Sequence, residues 1–267
     1  MPYFEWNDTR YHYLDQGDGA ALVLCHGFTG SSQNWLPLLP ALSQDRRVIA
    51  LDLPGHGETK VLSGEDYTIS AAIESLLRLL DHLALAQIDL LGYSMGGRFA
   101  LSFACAHPGR IRRLVLESAS PGLQSSQDRA SRKQSDDSLA ERIEANGIGW
   151  FVDTWEQLPL WASQSQLPDS VRETLREARL RNDPGGLANS LRQMGTGVML
   201  PLWDCLPNLT RPTLLLTGEL DTKFREINAQ MHAILPASSL HMIPGAGHTI
   251  HLEQPLTYLE VVRNFLF

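Results

Sequence analysis

The sequence predicts an α/β fold, a mostly parallel sheet flanked by helices and interrupted by one helical insertion. Three observations carry this. Short runs at 21–24, 48–51, 88–91, 114–116, 213–216 and 240–243 are close to continuously apolar and lead into Gly- or Pro-bearing loops, as strands buried on both faces do. Between two of them Ile69, Ile73, Leu76, Leu80 and Leu83 recur at spacings of three and four, which draws a single apolar stripe along a helix. From 121 to 200 the rhythm stops, and Arg-rich helical patterns with paired tryptophans replace it. The reading is therefore one core, 1–120 and 201–267, with a helical cap at 121–200. Ligands of such sheets bind at the carboxyl ends of the strands, so the loops after the runs are where chemistry is expected.

The first run opens into Cys25-His26-Gly27-Phe28-Thr29-Gly30, a small-residue loop that can present the Phe28 amide to a negative oxygen. The second opens into Asp52-Leu53-Pro54-Gly55-His56-Gly57, read as a structural turn. The third gives Gly92-Tyr93-Ser94-Met95-Gly96-Gly97 and then the apolar helix Phe99–Ala106. This is G-x-S-x-G between a strand and a helix. Small residues at 92 and 96 let the backbones approach, and the serine is left on a sharp turn with its hydroxyl projecting. The Met95 amide, next in the chain, is the second candidate oxyanion donor.

A serine hydroxyl does little at its own pKa. It needs a histidine to take its proton and a carboxylate to orient that histidine. Asp221 follows the 213–216 run in Gly218-Glu219-Leu220-Asp221, and His248 follows the 240–243 run in Gly245-Ala246-Gly247-His248. Ser94, Asp221 and His248 thus end three strands of one sheet, whose ends share an edge. His26, His56, His241 and His251 lack a matching place after a final strand and are given structural roles.

Composition removes other classes. The formal net charge of −8 and a pI near 5.6 disfavour phosphate-backbone binding, so no nucleic-acid partner is expected. There is no GxGxxG and no metal-ligand cluster, and no cofactor is called for. No window of 18 apolar residues occurs, and the N-terminus lacks the basic and apolar regions of a secretion signal. Cys25, Cys105 and Cys205 are odd in number and far apart, and read as reduced, buried thiols. A cytoplasmic enzyme or binder without membrane insertion is expected.

Taken together, HGFTG at His26, DLPGHG at Asp52, GYSMGGR at Gly92, GELD at Gly218 and GAGH at Gly245 resemble the α/β-hydrolase superfamily across nearly the whole chain. Within it the sequence is similar to the MenH family of 2-succinyl-6-hydroxy-2,4-cyclohexadiene-1-carboxylate synthases of menaquinone and phylloquinone biosynthesis. Arg98 after the elbow glycines, Ser120–Gln124 with Arg129-Ala130-Ser131-Arg132, Asp221-Thr222-Lys223-Phe224, and Ala246-Gly247-His248 with His251 and Glu253 carry the narrower resemblance.

The resemblance implies a lyase that eliminates pyruvate, with Ser94 as base and a small polycarboxylate anion as substrate. It also implies that Arg98 and Arg132 bind that anion, with Arg179 or Arg181 as a third, and that Tyr93 and Trp155 border the pocket. Arg98 is favoured on other grounds too, since it lies four residues past Ser94 and so shares a helix face with it. A polyanion approaching a chain of net charge −8 needs such guanidinium forks. For Arg179 a solvated helix with Glu173 and Glu177 fits equally well. Two alternatives stay open: a carboxylesterase or carbon–carbon bond hydrolase using the same triad, and a non-enzymatic small-molecule receptor.

Overall fold

The computed structural model describes residues 2–62 and 67–266. Each of the six apolar runs lies inside a strand: β3 (Ala20–Cys25), β4 (Arg46–Leu51), β6 (Ile88–Tyr93), β7 (Ile111–Glu117), β8 (Thr213–Gly218) and β9 (Ser238–Ile243). Three further strands come from the ends and loops of that pattern: β1 (Tyr3–Trp6), β2 (Thr9–Gln16) and the two-residue β5 (Lys60–Val61). The sheet order is β1-β2-β4-β3-β6-β7-β8-β9, with β5 on β2. β1 and β2 are antiparallel and turn at Asn7; from β4 to β9 all pairing is parallel. β9 departs from the expectation of two buried faces. It is an edge strand, and His241 and Met242 are exposed.

The strand order reverses at β3. Its chain neighbour β4 lies on one side and β6 on the other, with Cys25 level with Gly92. The loops leaving β3 and β6 therefore diverge around a crevice, which is where ligands of open α/β sheets collect.

The helices are α1 (Leu39–Leu42), α2 (Ile69–His82), α3 (Met95–Ala106), α4 (Ser126–Trp155), α5 (Asp169–Leu180), α6 (Pro184–Met194), α7 (Thr222–Ile234), α8 (Ile250–Glu253) and α9 (Pro255–Leu266). α2 starts at Thr68, whose hydroxyl accepts the Ala71 amide at 3.1 Å. It buries Ala72, Leu76, Leu79 and Leu80. One sheet face packs on α2 and α3 through residues such as Leu76, Phe99 and Phe103, and the other on Trp35, Tyr258 and Val262. Between β7 and β8 the described elements are helical. α4 breaks at Gly147 (φ +78°), and its Ala140, Ile143, Phe151 and Val152 pack on Leu187, Ala188 and Leu191 of α6 as a separate small core.

Two of the three cysteines are paired and are not the reduced thiols expected. Cys105, at the end of α3, is disulfide-bonded to Cys205, 100 residues later. The chain returning from the insertion passes the end of α3, a meeting that spacing alone gives no sign of. Cys25 is a free thiol whose pKa burial pushes up. No helix among the described residues is long and apolar enough to cross a membrane.

Candidate active site

Ser94 occupies the turn from β6 into α3 with φ +51°, a left-handed conformation that costs an L-residue of order 1–3 kcal/mol and persists only where the surroundings impose it. They do so here. The Ser94 amide donates to the Glu117 carbonyl at 2.8 Å, continuing the ladder onto β7, while the Arg98 amide donates to the Ser94 carbonyl at 3.0 Å. A Cβ at Gly96 would run into the carbonyls of Cys25 and His26, and one at Gly92 into the Gly96 backbone. Glycine is required at both because two backbones cross there.

The remaining two groups arrive from the next strand ends. His248 Nε2 lies 3.0 Å from Ser94 Oγ, and Nδ1 lies 2.7 Å from Asp221 Oδ2. The carboxylate can only accept, so Nδ1 carries the proton and Nε2 is left free to accept the serine hydroxyl. Asp221 is also the N-cap of α7, with its Oδ1 accepting from the Phe224 amide at 3.4 Å. His248 is 2% exposed, and the rings of Tyr93, Trp161 and Phe224 surround it at centroid distances of 5.5, 5.6 and 4.7 Å. Water is kept from most of the imidazole.

Met95 is the first residue of α3, so its amide has no partner within the helix and lies at the positive end of the helix dipole. Phe28 lies in the loop after β3, in a turn closed by a Gly30 N–H to Gly27 C=O hydrogen bond of 3.0 Å. Both residues line the cavity that holds Ser94 and His248.

That cavity measures about 480 Å³. Its walls bring together Tyr93, Arg98, Arg132 and Trp155, together with Gln124, Trp161, Met194 and Lys223. Arg98 is 9% exposed. Its Nη1 donates to the Met194 carbonyl at 3.0 Å, and burial, reinforced by the nearby Arg132, lowers its pKa to about 10. Arg132 is half-exposed and pairs with Asp136 at 2.8 Å, and the cavity is lined by three cations, Arg98, Arg132 and Lys223, and two anions, Asp128 and Asp136. Tyr93 offers its ring, because its hydroxyl shares a 2.9 Å hydrogen bond with Thr249; burial raises the phenol pKa.

The third arginine falls differently. Arg181 is exposed just past α5 and lines none of the described cavities. Arg179 is buried and lines two cavities apart from the one at Ser94, a small one behind Tyr93 and Trp161 and an outer one of about 530 Å³ that it shares with Glu156. There it donates to Glu156 at 3.0 Å and Gln164 at 3.2 Å. Helical period could not choose between them, since the docking of α5 decides which one turns inward. Lys223 enters the sequence reading only within the motif Asp221–Phe224, with no place in the pocket, although its position two residues after Asp221 at the shared strand edge is a usable signal.

Three of the competing histidines have partners elsewhere, and the fourth, His241, lies exposed on the edge strand β9. His251 pairs with the buried Glu117 at 2.9 Å. His26 Nε2 accepts from the Leu53 amide at 3.0 Å, and His56 Nδ1 lies 3.1 Å from the Pro54 carbonyl. Among the described residues no group of three or more His, Cys, Asp or Glu is placed to hold a metal ion.

A serine on a strand-to-helix elbow, hydrogen-bonded to a histidine that an aspartate holds in turn, both from later strand ends, marks an α/β-hydrolase, and residues 20–255 match the α/β hydrolase fold family. The chain is 44% identical over 260 residues to a putative 2-succinyl-6-hydroxy-2,4-cyclohexadiene-1-carboxylate synthase of Bacillus subtilis, covering 96% of this chain and 94% of the relative. It is 33% identical to the synthase of that name from Escherichia coli, covering 92% and 93%. The structure of MenH from S. aureus superposes with a TM-score of 0.92 at 36% identity, covering 96% of this chain and 97% of that one. The chain belongs to the MenH family, the 2-succinyl-6-hydroxy-2,4-cyclohexadiene-1-carboxylate synthases.

Proposed function

We propose that this protein is a carbon–oxygen lyase that eliminates pyruvate from 2-succinyl-5-enolpyruvyl-6-hydroxy-3-cyclohexene-1-carboxylate. The product is 2-succinyl-6-hydroxy-2,4-cyclohexadiene-1-carboxylate, in menaquinone or phylloquinone biosynthesis. The observation that carries it is the pairing of a formed Ser94–His248–Asp221 relay with Arg98 and Arg132 in one cavity. The relay supplies a base, and the guanidinium groups supply charge for a small polycarboxylate on a chain that is otherwise acidic.

In this reading Ser94 Oγ removes a substrate C–H proton while its own proton passes to His248 Nε2. The proton leaves C2, its electron pair forms the C2=C3 bond, and the C3=C4 pair shifts to C4=C5 and expels the oxygen on C5. The C–O bond to the enolpyruvyl group breaks, and the leaving enolate takes up a proton to become pyruvate. The Phe28 and Met95 amides stabilise the enolate-like charge at the substrate oxygen, and no acyl-enzyme forms. Arg98 and Arg132 hold carboxylates, Tyr93 and Trp155 border the ring, and Arg179 acts from the adjoining cavity. No cofactor takes part, and the enzyme works in the cytoplasm.

The test is pyruvate release from enzymatically generated substrate by wild type, Ser94→Ala and Arg98→Ala. Rapid release that collapses in both variants is expected. Release no faster than the spontaneous rate, or a covalent Ser94 adduct with the natural substrate in mass spectrometry, refutes the assignment. Turnover of small neutral esters that survives Arg98→Ala would instead support the carboxylesterase reading, which the intact Ser–His hydrogen bond also permits.

A further inference from the structure

The loop that carries the Phe28 amide is held from both sides, and one of the two holds comes from the cap. Asn182, just beyond α5, is 8% exposed. Its Nδ2 donates to the Thr29 carbonyl at 2.9 Å and to the Arg179 carbonyl, in its own turn, at 3.0 Å. Thr29 has φ +70°; turns that need this conformation at their third position usually place glycine there. A threonine stays in it only while its neighbours hold the peptide.

The peptide linking Thr29 to Gly30 is gripped at both ends. Its oxygen takes the Asn182 amide, and its N–H donates to Gly27 O at 3.0 Å. Gly27 O receives a second donor, His26 Nδ1 at 2.7 Å. The imidazole must carry its proton on Nδ1, because Nε2 accepts from the Leu53 amide. In a trans peptide C=O and N–H point in opposite directions. Fixing Gly27 C=O therefore fixes the direction of the Phe28 N–H. The cap also makes a bare backbone contact with the neighbouring Asp52–Gly57 turn, where a Cβ on Gly186, at the start of α6, would stand 2.7 Å from the Gly55 carbonyl, and His56 of that turn packs on the rings of His26 and Phe28.

We propose that Asn182 is a positioning residue for the oxyanion loop: by holding Thr29 O it keeps the turn closed and the Phe28 N–H aimed, so the seating of the cap sets the strength of the oxyanion site. The inference rests on the assignment of Phe28 as an oxyanion donor. A donor misaimed by a fraction of an ångström serves the charge that develops in the transition state poorly and affects ground-state binding little.

The experiment compares Asn182→Ala and Asn182→Asp with wild type. The aspartate keeps the size but at neutral pH has no donor for Thr29 O. Three quantities are read: thermal midpoint, kcat and KM for pyruvate release, and hydrogen exchange of the peptide spanning 26–30. Expected are a kcat about 10–100-fold lower with KM within about twofold in both variants, and exchange in that peptide at least tenfold faster, in protein that still unfolds cooperatively. If the wild type releases no pyruvate, the lyase assignment fails, and kcat is read on p-nitrophenyl acetate, whose tetrahedral intermediate uses the same donors. Unchanged exchange in the 26–30 peptide overturns the positioning role under any substrate. So does a kcat within twofold of wild type, or a loss of activity that only tracks a lower thermal midpoint.

Discussion

Replacing Arg98 by methionine should separate stability from activity, in opposite directions. The guanidinium is buried with one neutral acceptor, the Met194 carbonyl, and a weak 3.8 Å contact to Met199 Sδ. The fall of its pKa from 12.5 to about 10 corresponds, at 1.36 kcal/mol per pH unit, to about 3 kcal/mol of unfavourable environment for the charge. Methionine keeps the aliphatic stem and removes that penalty, and the lost hydrogen bond returns about 1–3 kcal/mol. The net stability change is therefore between zero and about +2 kcal/mol, a thermal midpoint unchanged or raised by a few degrees. A charge-assisted hydrogen bond to a substrate carboxylate is worth about 1.5–3 kcal/mol, so kcat/KM for the polycarboxylate should fall about 10–100-fold, mainly through KM. Calorimetry and steady-state pyruvate release measure the two. A midpoint lowered by more than about 4 °C together with unchanged kcat/KM would refute both halves of the reasoning.

Two more outcomes follow from buried groups. Without reductant, the unfolded protein should show one titratable thiol, Cys25, and three after reduction; reduction should also lower the thermal midpoint, since a crosslink closing 100 residues contributes up to about 4.7 kcal/mol in the chain-entropy account. Three thiols before reduction would remove the disulfide. Burial lowers the pKa of His26, and that of His56 to about 3. Each is neutral in the folded protein while the unfolded chain begins to bind protons near pH 6.5, so their stabilising effect is whole above that pH and lost as pH falls. Urea titrations should show His56 alone removing about 2 kcal/mol between pH 7 and pH 5, and stability that is flat across this range would contradict the burial argument.

The parallel strands were legible because burial on both faces leaves an unbroken apolar run, as in Leu22, Val23 and Leu24. β1 and β2 escaped the same search because an outer antiparallel strand mixes exposed and buried positions, with Arg10 exposed between buried Thr9 and Tyr11. The triad was legible because each member sits at a fixed place after its strand. Distant meetings were not. Cys105 with Cys205, Asn182 with Thr29, and the inward turn of Arg179 instead of Arg181 depend on how the insertion docks, and no local spacing encodes that.

The insertion leaves the sheet after β7 and re-enters at its neighbour β8, whereas Ser94 precedes it and Asp221 and His248 follow it. Pocket walls can thus be exchanged by grafting another segment between two adjacent strands while the proton relay is left whole. Asn182 limits that freedom. A graft with no donor facing the Thr29 carbonyl would produce a folded chimera with its relay formed and its substrate bound, yet slow, and the remedy would lie in restoring one amide at the seam, with no redesign of the pocket.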